Sequence, residues 1–239
     1  MVKIAEYPPL VTGWLQRRYK RFLADVELED GSVVTAFCPN PGSMMGLLEP
    51  GTPALLSESS DPGRRTAHTL ELLRPVEGTW VAVNTLRTNA WAARVIERGL
   101  AGEALRGYAV ERREVAYGDS RLDFLLEAGR GEAYLEVKSV TLRVGAEARF
   151  PDAVTLRGRR HLRALMRARE EGKRAFMLYL VQREDCRCFA PAEDIDREYA
   201  RAFREAVGAG VGVVVLALSV GARGVYLLGG LPLCGGDRF

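Results

Sequence analysis

The sequence predicts an α/β fold class in two parts, a mostly β unit over residues 1–85 followed by an α/β domain over residues 86–239. Three patterns carry this prediction. Short apolar runs alternate with turn residues up to residue 85, which is typical of a small β-barrel or sandwich. Trp91, Val95 and Leu100 then recur at helical spacing. Beyond residue 120, strand-like and helix-like segments alternate, as in α/β domains.

The strands of the first part are delimited by their turns. Asp30-Gly31, the stretch 38–43 and the triplet 61–63 are rich in Pro, Gly, Asn and Asp, which mark turns. We expect strands in the segments 13–28, 33–37, 54–57, 68–73 and 80–83.

In the second part, residues 84–108 are predicted to be helical, and residues 121–126 and 134–142 are predicted to form a hairpin around Gly129-Arg130-Gly131. A helix is expected to begin near residues 150–152, because proline suits the first helical turn and an acidic side chain there meets the positive end of the helix dipole. Further elements are expected at 175–181 (strand), 194–207 (helix), 211–218 (strand) and 225–231 (strand).

Composition excludes several classes of protein. The 239 residues, 47% hydrophobic with a net charge of +3, are neither disordered nor fibrous. No apolar run approaches the ~18 residues of a membrane helix, and no apolar signal core follows Met1. The four cysteines match no zinc pattern, and we expect free thiols in a reducing cytoplasm. A local stripe over residues 157–174 carries eight basic and two acidic side chains.

The predicted hairpin carries the chemistry. A turn at Gly129-Arg130 places residues whose numbers sum to 259 opposite each other, so that Asp123 faces Glu136 and Arg121 faces Lys138. Because side chains alternate along strands, these four polar residues share one face of the sheet. Leu122, Phe124, Leu135 and Val137 are expected on the other face.

Opposed carboxylates repel unless a cation lies between them. Mg²⁺ or Mn²⁺, bound by Asp123 and Glu136, would be that cation, since hard divalent ions take carboxylate oxygens and keep positions open for phosphate oxygens. Lys138 could orient or deprotonate a water and stabilise charge on the phosphate. We therefore predict Asp123, Glu136 and Lys138 as catalytic residues. The alternative is a structural ion-pair cluster neutralised by Arg121 and Lys138.

Several motifs resemble the sugar fermentation stimulation protein A (SfsA) family over residues 12–230 or so. They are RRYKRFLADV at 17–26, CPNPGSM at 38–44, Asn84-Thr85, RLDF at 121–124, LEVKSVTL at 135–142, FPDAVT at 150–155, Arg157-Gly158 and His161-Leu162. The resemblance implies an OB-fold-like barrel, a PD-(D/E)xK nuclease-like α/β domain, sequence-nonspecific DNA binding and a regulatory link to sugar, especially maltose, metabolism. Its nuclease pattern maps onto Asp123, Glu136 and Lys138.

DNA is the expected partner, and a homodimer is left open. Cations that alternate with aromatic rings are typical of nucleic-acid surfaces, and the predicted contacts are Arg17, Arg18, Lys20, Arg21, Arg121, Arg157 and His161. Residues 40–42, Asn84 and Asn89 are candidates to line a cleft between the two parts, with turn capping as the alternative. Two competing functions remain, a noncatalytic DNA-binding regulator and, more weakly, an enzyme for a small phosphorylated molecule.

Overall fold

A computed structural model describes residues 1–76 and 78–235 of the protein. Its first elements are β1 (Val2–Ala5), β2 (Leu10–Tyr19), β3 (Leu23–Leu28), β4 (Val33–Phe37), β5 (Thr52–Glu58), β6 (His68–Leu73), β7 (Val81–Ala82), a 3-10 helix (Thr85–Arg87) and α1 (Thr88–Glu97). After a second 3-10 helix (Glu103–Leu105) come β8 (Ala109–Tyr117), β9 (Ser120–Glu127), β10 (Ala133–Val140), β11 (Leu142–Val144), β12 (Glu147–Phe150), α2 (Leu156–Glu170), β13 (Arg174–Val181), β14 (Cys188–Pro191), α3 (Arg197–Gly208), β15 (Gly212–Gly221) and β16 (Gly224–Gly230).

The N-terminal strands form the predicted barrel. They are ordered β4-β3-β2-β5-β6-β7, and a parallel pairing of β4 with β6 closes the ring of β2 to β6. Leu15, Val26, Leu56 and Leu70 are fully buried in its interior, because alternate side chains of each strand point inward. Closure pairs the edge strands that an open sheet would expose.

The α/β domain is built on a seven-stranded sheet ordered β1-β16-β15-β13-β10-β9-β8. One face packs on α1 and on barrel residues such as Leu55 and Leu72. The other face packs on α2 and α3 through a cluster of aromatic rings: Phe150, Tyr179, Phe189, Tyr199 and Phe203. Strands β11, β12 and β14 form a small separate sheet. The central strands of the large sheet, β13, β10 and β9, therefore lie between two layers.

The structure differs from the sequence predictions at the N-terminus. Residues 2–5 do not join the barrel, since β1 pairs with β16 at the edge of the large sheet. Strand β8 was also not predicted, because its side chains are largely exposed and charged and give no apolar alternation. The domain boundary after residue 85 stays a prediction.

The expected helix start at residues 150–152 is wrong. Phe150 ends β12, and α2 begins at Leu156 after Thr155, whose side chain accepts a hydrogen bond from the Gly158 backbone N–H. Asp152 instead accepts a bond from the barrel, as described below. The expectation of free thiols is also wrong for two cysteines, since Cys188 and Cys234 form a disulfide.

Within the described residues, no helix combines the length and the apolar composition that crossing a bilayer requires.

Candidate active site

A cavity of about 410 Å³ lies where the barrel, α1 and the large sheet meet. The predicted residues Asp123, Glu136 and Lys138 all line it. Further lining residues come from the rest of the site: residues 40–42 of the barrel, Thr85, Thr88 and Asn89 around the start of α1, Glu114 of β8, Ser139 and Thr141, and residues 149–155 and 157. Of the cleft candidates, residues 40–42 and Asn89 line the cavity, whereas Asn84 caps the 3-10 helix by accepting from the Leu86 backbone N–H.

The hairpin register is the predicted one where β9 and β10 pair, since Leu135 stands opposite Phe124 and Ala133 opposite Leu126. The regular ladder ends there. One residue further, Asp123 Oδ2 accepts from the Val137 backbone N–H at 2.7 Å, and Asp123 Oδ1 accepts from Asn89 Nδ2 at 2.8 Å. The Asp123 carboxylate thus takes the place of a backbone carbonyl as the acceptor for the Val137 N–H. Asn89 of α1 and Val137 of β10 together hold it in one orientation.

The predicted second face of the hairpin is split. Phe124, Leu135 and Val137 pack in the cluster below α1, as expected from the alternation. Leu122 instead packs in the cluster below α2 and α3. Opposite this point of β9, between the pairs Arg113–Phe124 and Val115–Leu122, Glu114 of β8 adopts a left-handed φ of 53°. The exposed carboxylate of Glu114 lines the cavity, and sequence reasoning missed it together with its strand.

Glu136 is 2% exposed and lies between two basic groups. Its Oε1 contacts both Lys138 Nζ and His161 Nδ1. Arg157 Nε donates to His161 Nε2 at 3.4 Å. Since a guanidinium only donates, this bond places the ring proton of His161 on Nδ1, facing Glu136. Glu136 Oε2 and the lining Ser139 Oγ are, by contrast, buried oxygens that lack a hydrogen-bond partner in the described part of the chain.

The two carboxylates have opposite pKa shifts. Burial, followed by the neighbouring charge of Glu136, raises the pKa of Asp123 to about 6. Burial alone would also raise the pKa of Glu136, but Lys138 and His161 outweigh it and lower that pKa. Glu136 therefore ionises more readily than Asp123. Asp123 loses its proton as the pH rises through about 6, and a divalent cation bound to the carboxylate would compete with that proton.

A barrel loop, residues 38–44, forms one wall of the cavity. Its Met44 backbone N–H donates to Asp152 Oδ2 at 2.8 Å, and Ser43 Oγ donates to the Asp152 carbonyl. Asn40 Nδ2 donates to the Val83 carbonyl at 3.0 Å, which fixes the other side of the loop. The barrel is thus tied to the loop that precedes α2, directly beside the carboxylates.

Gly42→Ala is expected to break this tie. A Cβ at position 42 would lie 2.7 Å from Asp152 Oδ2 and 2.8 Å from Oδ1, closer than real Cβ atoms approach. We expect a loss of about 1–3 kcal/mol in the free energy of unfolding, measured by urea denaturation. Gly129→Ala is the matched control, because no atom lies within 4 Å of a Cβ there. Equal stability of the two variants would contradict this account of the wall.

Most of the predicted barrel cations have protein partners. Arg17 pairs with Asp25 at 2.8 Å, Arg18 donates to the carbonyls of loop 38–44, and Arg21 donates to the Pro41 carbonyl. Lys20 is exposed, and among the described residues no partner is found for its side-chain ammonium group. Of these four residues, Arg18 and Arg21 therefore lie against loop 38–44 and have a structural role there.

The remaining predicted DNA contacts are dispersed. Arg157 lines the cavity, as expected. His161 does lie against the carboxylates, but it is buried beneath Arg157 and contacts Glu136, so it is not a surface group. Arg121 is exposed and is not among the residues that line the cavity.

Comparison with known proteins agrees with this architecture. Residues 17–83 match the family model described as SfsA N-terminal OB domain, and residues 86–224 match the one described as Sugar fermentation stimulation protein RE domain. The barrel is thus an OB fold, and the α/β domain has the nuclease-like fold that the resemblance implied.

Two curated relatives are each called a sugar fermentation stimulation protein homolog. The protein of Pelobacter propionicus is 49% identical over 227 residues, covering 95% of this chain and 98% of the relative. That of Gloeobacter violaceus is 47% identical over 232 residues, with 96% and 97% covered. The solved structure of Pyrococcus furiosus SfsA in complex with Ca²⁺ is 29% identical, with a TM-score of 0.90 and coverage of 98% and 99%. The chain therefore belongs to the sugar fermentation stimulation protein (SfsA) family.

Proposed function

We propose that this protein is a DNA-binding, metal-dependent nuclease whose site is formed by Asp123, Glu136 and Lys138. The observation that carries the proposal is the meeting of these side chains in one cavity, with Glu136 Oε2 buried and unpartnered among the described residues. A buried oxygen without a partner is costly, and a cation removes the cost.

The residues fit a divalent cation. Asp123 and Glu136 offer carboxylate oxygens, the ligands that Mg²⁺ and Mn²⁺ prefer. The P. furiosus relative is described in complex with Ca²⁺, another oxygen-seeking divalent ion. When bound, such an ion would neutralise the carboxylates and supply positive charge to a phosphate.

The protein's own side chains would orient the carboxylates, bind the phosphate and stabilise its negative charge. Asn89 and the Val137 N–H fix the orientation of the Asp123 carboxylate. Lys138 lies against Glu136 and can stabilise negative charge on the phosphate oxygens. Arg157, exposed at the edge of the cavity, can bind a phosphate of the same strand. His161 positions Glu136 from below.

A nuclease assay tests the proposal. Purified protein would be incubated with supercoiled, linear and single-stranded DNA, with Mg²⁺, Mn²⁺ or EDTA. We expect cleavage that requires a divalent ion and disappears in Lys138→Met. Arg223→Met is the control, since Arg223 is exposed and lies away from this cavity. Absence of cleavage with every metal and DNA form would refute the nuclease.

DNA binding is expected to be electrostatic and insensitive to sequence. Exposed cations such as Lys20, Arg157, Arg160 and Arg163 can contact phosphates, while we recognise no groove-reading helix in the sequence. Affinity should fall steeply with salt, and neutralising one phosphate-contacting cation should reduce the slope of log affinity against log salt by about one unit. Binding measured by fluorescence anisotropy that is unchanged between low and moderate salt would contradict this.

One observation favours a second candidate, a noncatalytic DNA-binding regulator. Lys138 already pairs with the charge of Glu136 without a metal, and His161 Nδ1 lies against the same oxygen, as in a structural cluster. In that case the protein would affect sugar metabolism through DNA binding alone. The name of the relatives refers to sugar fermentation, and the resemblance implied a regulatory link to maltose in particular. We propose a cytoplasmic location in either case, because DNA is the partner.

A further inference from the structure

We propose that the strand entering the cavity is unpaired, so that the substrate class is single-stranded DNA or the single-stranded part of a branched molecule. The inference rests on the proposed function. It follows from the shape of the site, from the apolar side chains around it, and from the surface that leads to it.

The site is too confined for a duplex. Its volume of about 410 Å³ is in the range of pockets for small molecules. Glu136 lies at its base, and loop 38–44 stands beside it, bonded to Asp152 on one side and to Val83 on the other. Opening this wall would break the tie between the barrel and the α/β domain. A flexible single strand can place one phosphate inside such a cavity, whereas a rigid duplex cannot.

Exposed aliphatic side chains flank the cavity on two sides. Leu86 is 71% exposed and adjoins the lining residue Thr85, while Val154 and Leu156, 67% and 69% exposed, flank the lining residue Thr155. Apolar side chains in these positions can pack against the faces of nucleobases. A duplex keeps those faces within its base stack, so that an unpaired strand offers this contact without the cost of unstacking.

The barrel supplies a surface that leads to the cavity. Phe22 is 39% exposed, and the Arg21 guanidinium lies 5.5 Å from its ring. Arg21 Nη2 also donates to the Pro41 carbonyl, and Pro41 lines the cavity. Lys20 and Arg21 both have left-handed φ values, 46° and 64°, so the turn holds these groups in a fixed arrangement. A cation beside an exposed ring is how OB folds bind single strands.

The test compares one labelled oligonucleotide in three forms: single-stranded, in a blunt duplex, and in a duplex with a single-stranded tail. Full-length protein with Mn²⁺ should cut the single strand and the tail at least about tenfold faster than the duplex, since loss of one base contact costs about that factor. Equal cleavage of the blunt duplex would overturn the inference and leave the nuclease intact. Absence of cleavage of all three would refute the nuclease, and the inference would then be decided by binding.

Binding is measured by anisotropy with Ca²⁺ as the metal. The double variant Leu86→Ser/Val154→Ser should bind the single strand about tenfold more weakly and leave duplex binding unchanged. Val33→Ser is the matched control, because Val33 is an exposed aliphatic residue on the barrel outside the cavity. Both altered positions are at the surface, so folding should persist. The inference would be overturned if the double variant bound the single strand as tightly as the wild type. It would also be overturned if a small phosphorylated sugar displaced the wild-type protein from the single strand.

Discussion

Asp123→Asn is expected to abolish metal-dependent cleavage and at the same time to stabilise the metal-free protein at neutral pH. Activity should fall by at least about a hundredfold, because one of two metal-binding carboxylates is lost. Stability should rise because burial and the charge of Glu136 make the ionised Asp123 costly. Nuclease assays and thermal unfolding in EDTA measure the two effects on one preparation.

The size of the stabilisation follows from the raised pKa of Asp123. A change from 3.8 to about 6 corresponds to about 3 kcal/mol at most. Asparagine cannot accept the bonds from both Asn89 and Val137, and losing one costs about 1 kcal/mol. The net gain is about 1–2 kcal/mol, or roughly 2–8 °C in Tm for a chain of this size.

The pH dependence has a definite sign. Since the folded pKa of Asp123 is raised, its favourable contribution is complete below about pH 4 and is lost as the pH rises through about 6. The Tm of the variant should therefore exceed that of the wild type above pH 6 and converge with it near pH 4. Added Mg²⁺ should raise the wild-type Tm by mass action and not that of the variant.

Asp119→Asn is the control, because Asp119 is an exposed residue of the turn before β9 that pairs with Arg167. It should leave cleavage and Tm nearly unchanged. A destabilised Asp123→Asn protein at pH 8 would show that the carboxylate is structural. That outcome would favour the noncatalytic regulator.

The central hairpin could be predicted because local patterns determine it. The alternation of apolar and polar residues in β9 and β10, together with one glycine-containing turn, predicts the register in which Leu135 pairs with Phe124. What escaped prediction depends on residues distant in sequence. Asp152 resembles a residue of a first helical turn, yet it binds Met44, and Cys188 pairs with Cys234 across 46 positions. Glu114 escaped because a left-handed glutamate in a charged strand leaves no local signal.

The position of Asn89, and through it of Asp123, depends on an ion pair that links the barrel to the start of α1. Glu71 of β6 is 1% exposed and accepts two bonds of 2.6 Å from Arg87. Ser57 and Asn84 donate to the same carboxylate, so both of its oxygens are bonded. Arg87 directly precedes α1, in which Asn89 holds Asp123.

Arg87→Met is expected to destabilise the protein by about 3–5 kcal/mol, because it leaves a buried carboxylate without its counter-charge. Glu71→Gln in the same background should recover part of the loss, since it removes that charge. Arg201→Met, which breaks an exposed pair with Glu198, should cost less than about 1 kcal/mol. Denaturant unfolding of the wild type, Arg87→Met, Glu71→Gln and the double variant measures the coupling, and additive effects of the Arg87 and Glu71 changes would contradict it. Since α1 carries Asn89, Arg87→Met should also slow cleavage at temperatures where the protein is still folded, whereas Arg201→Met should not.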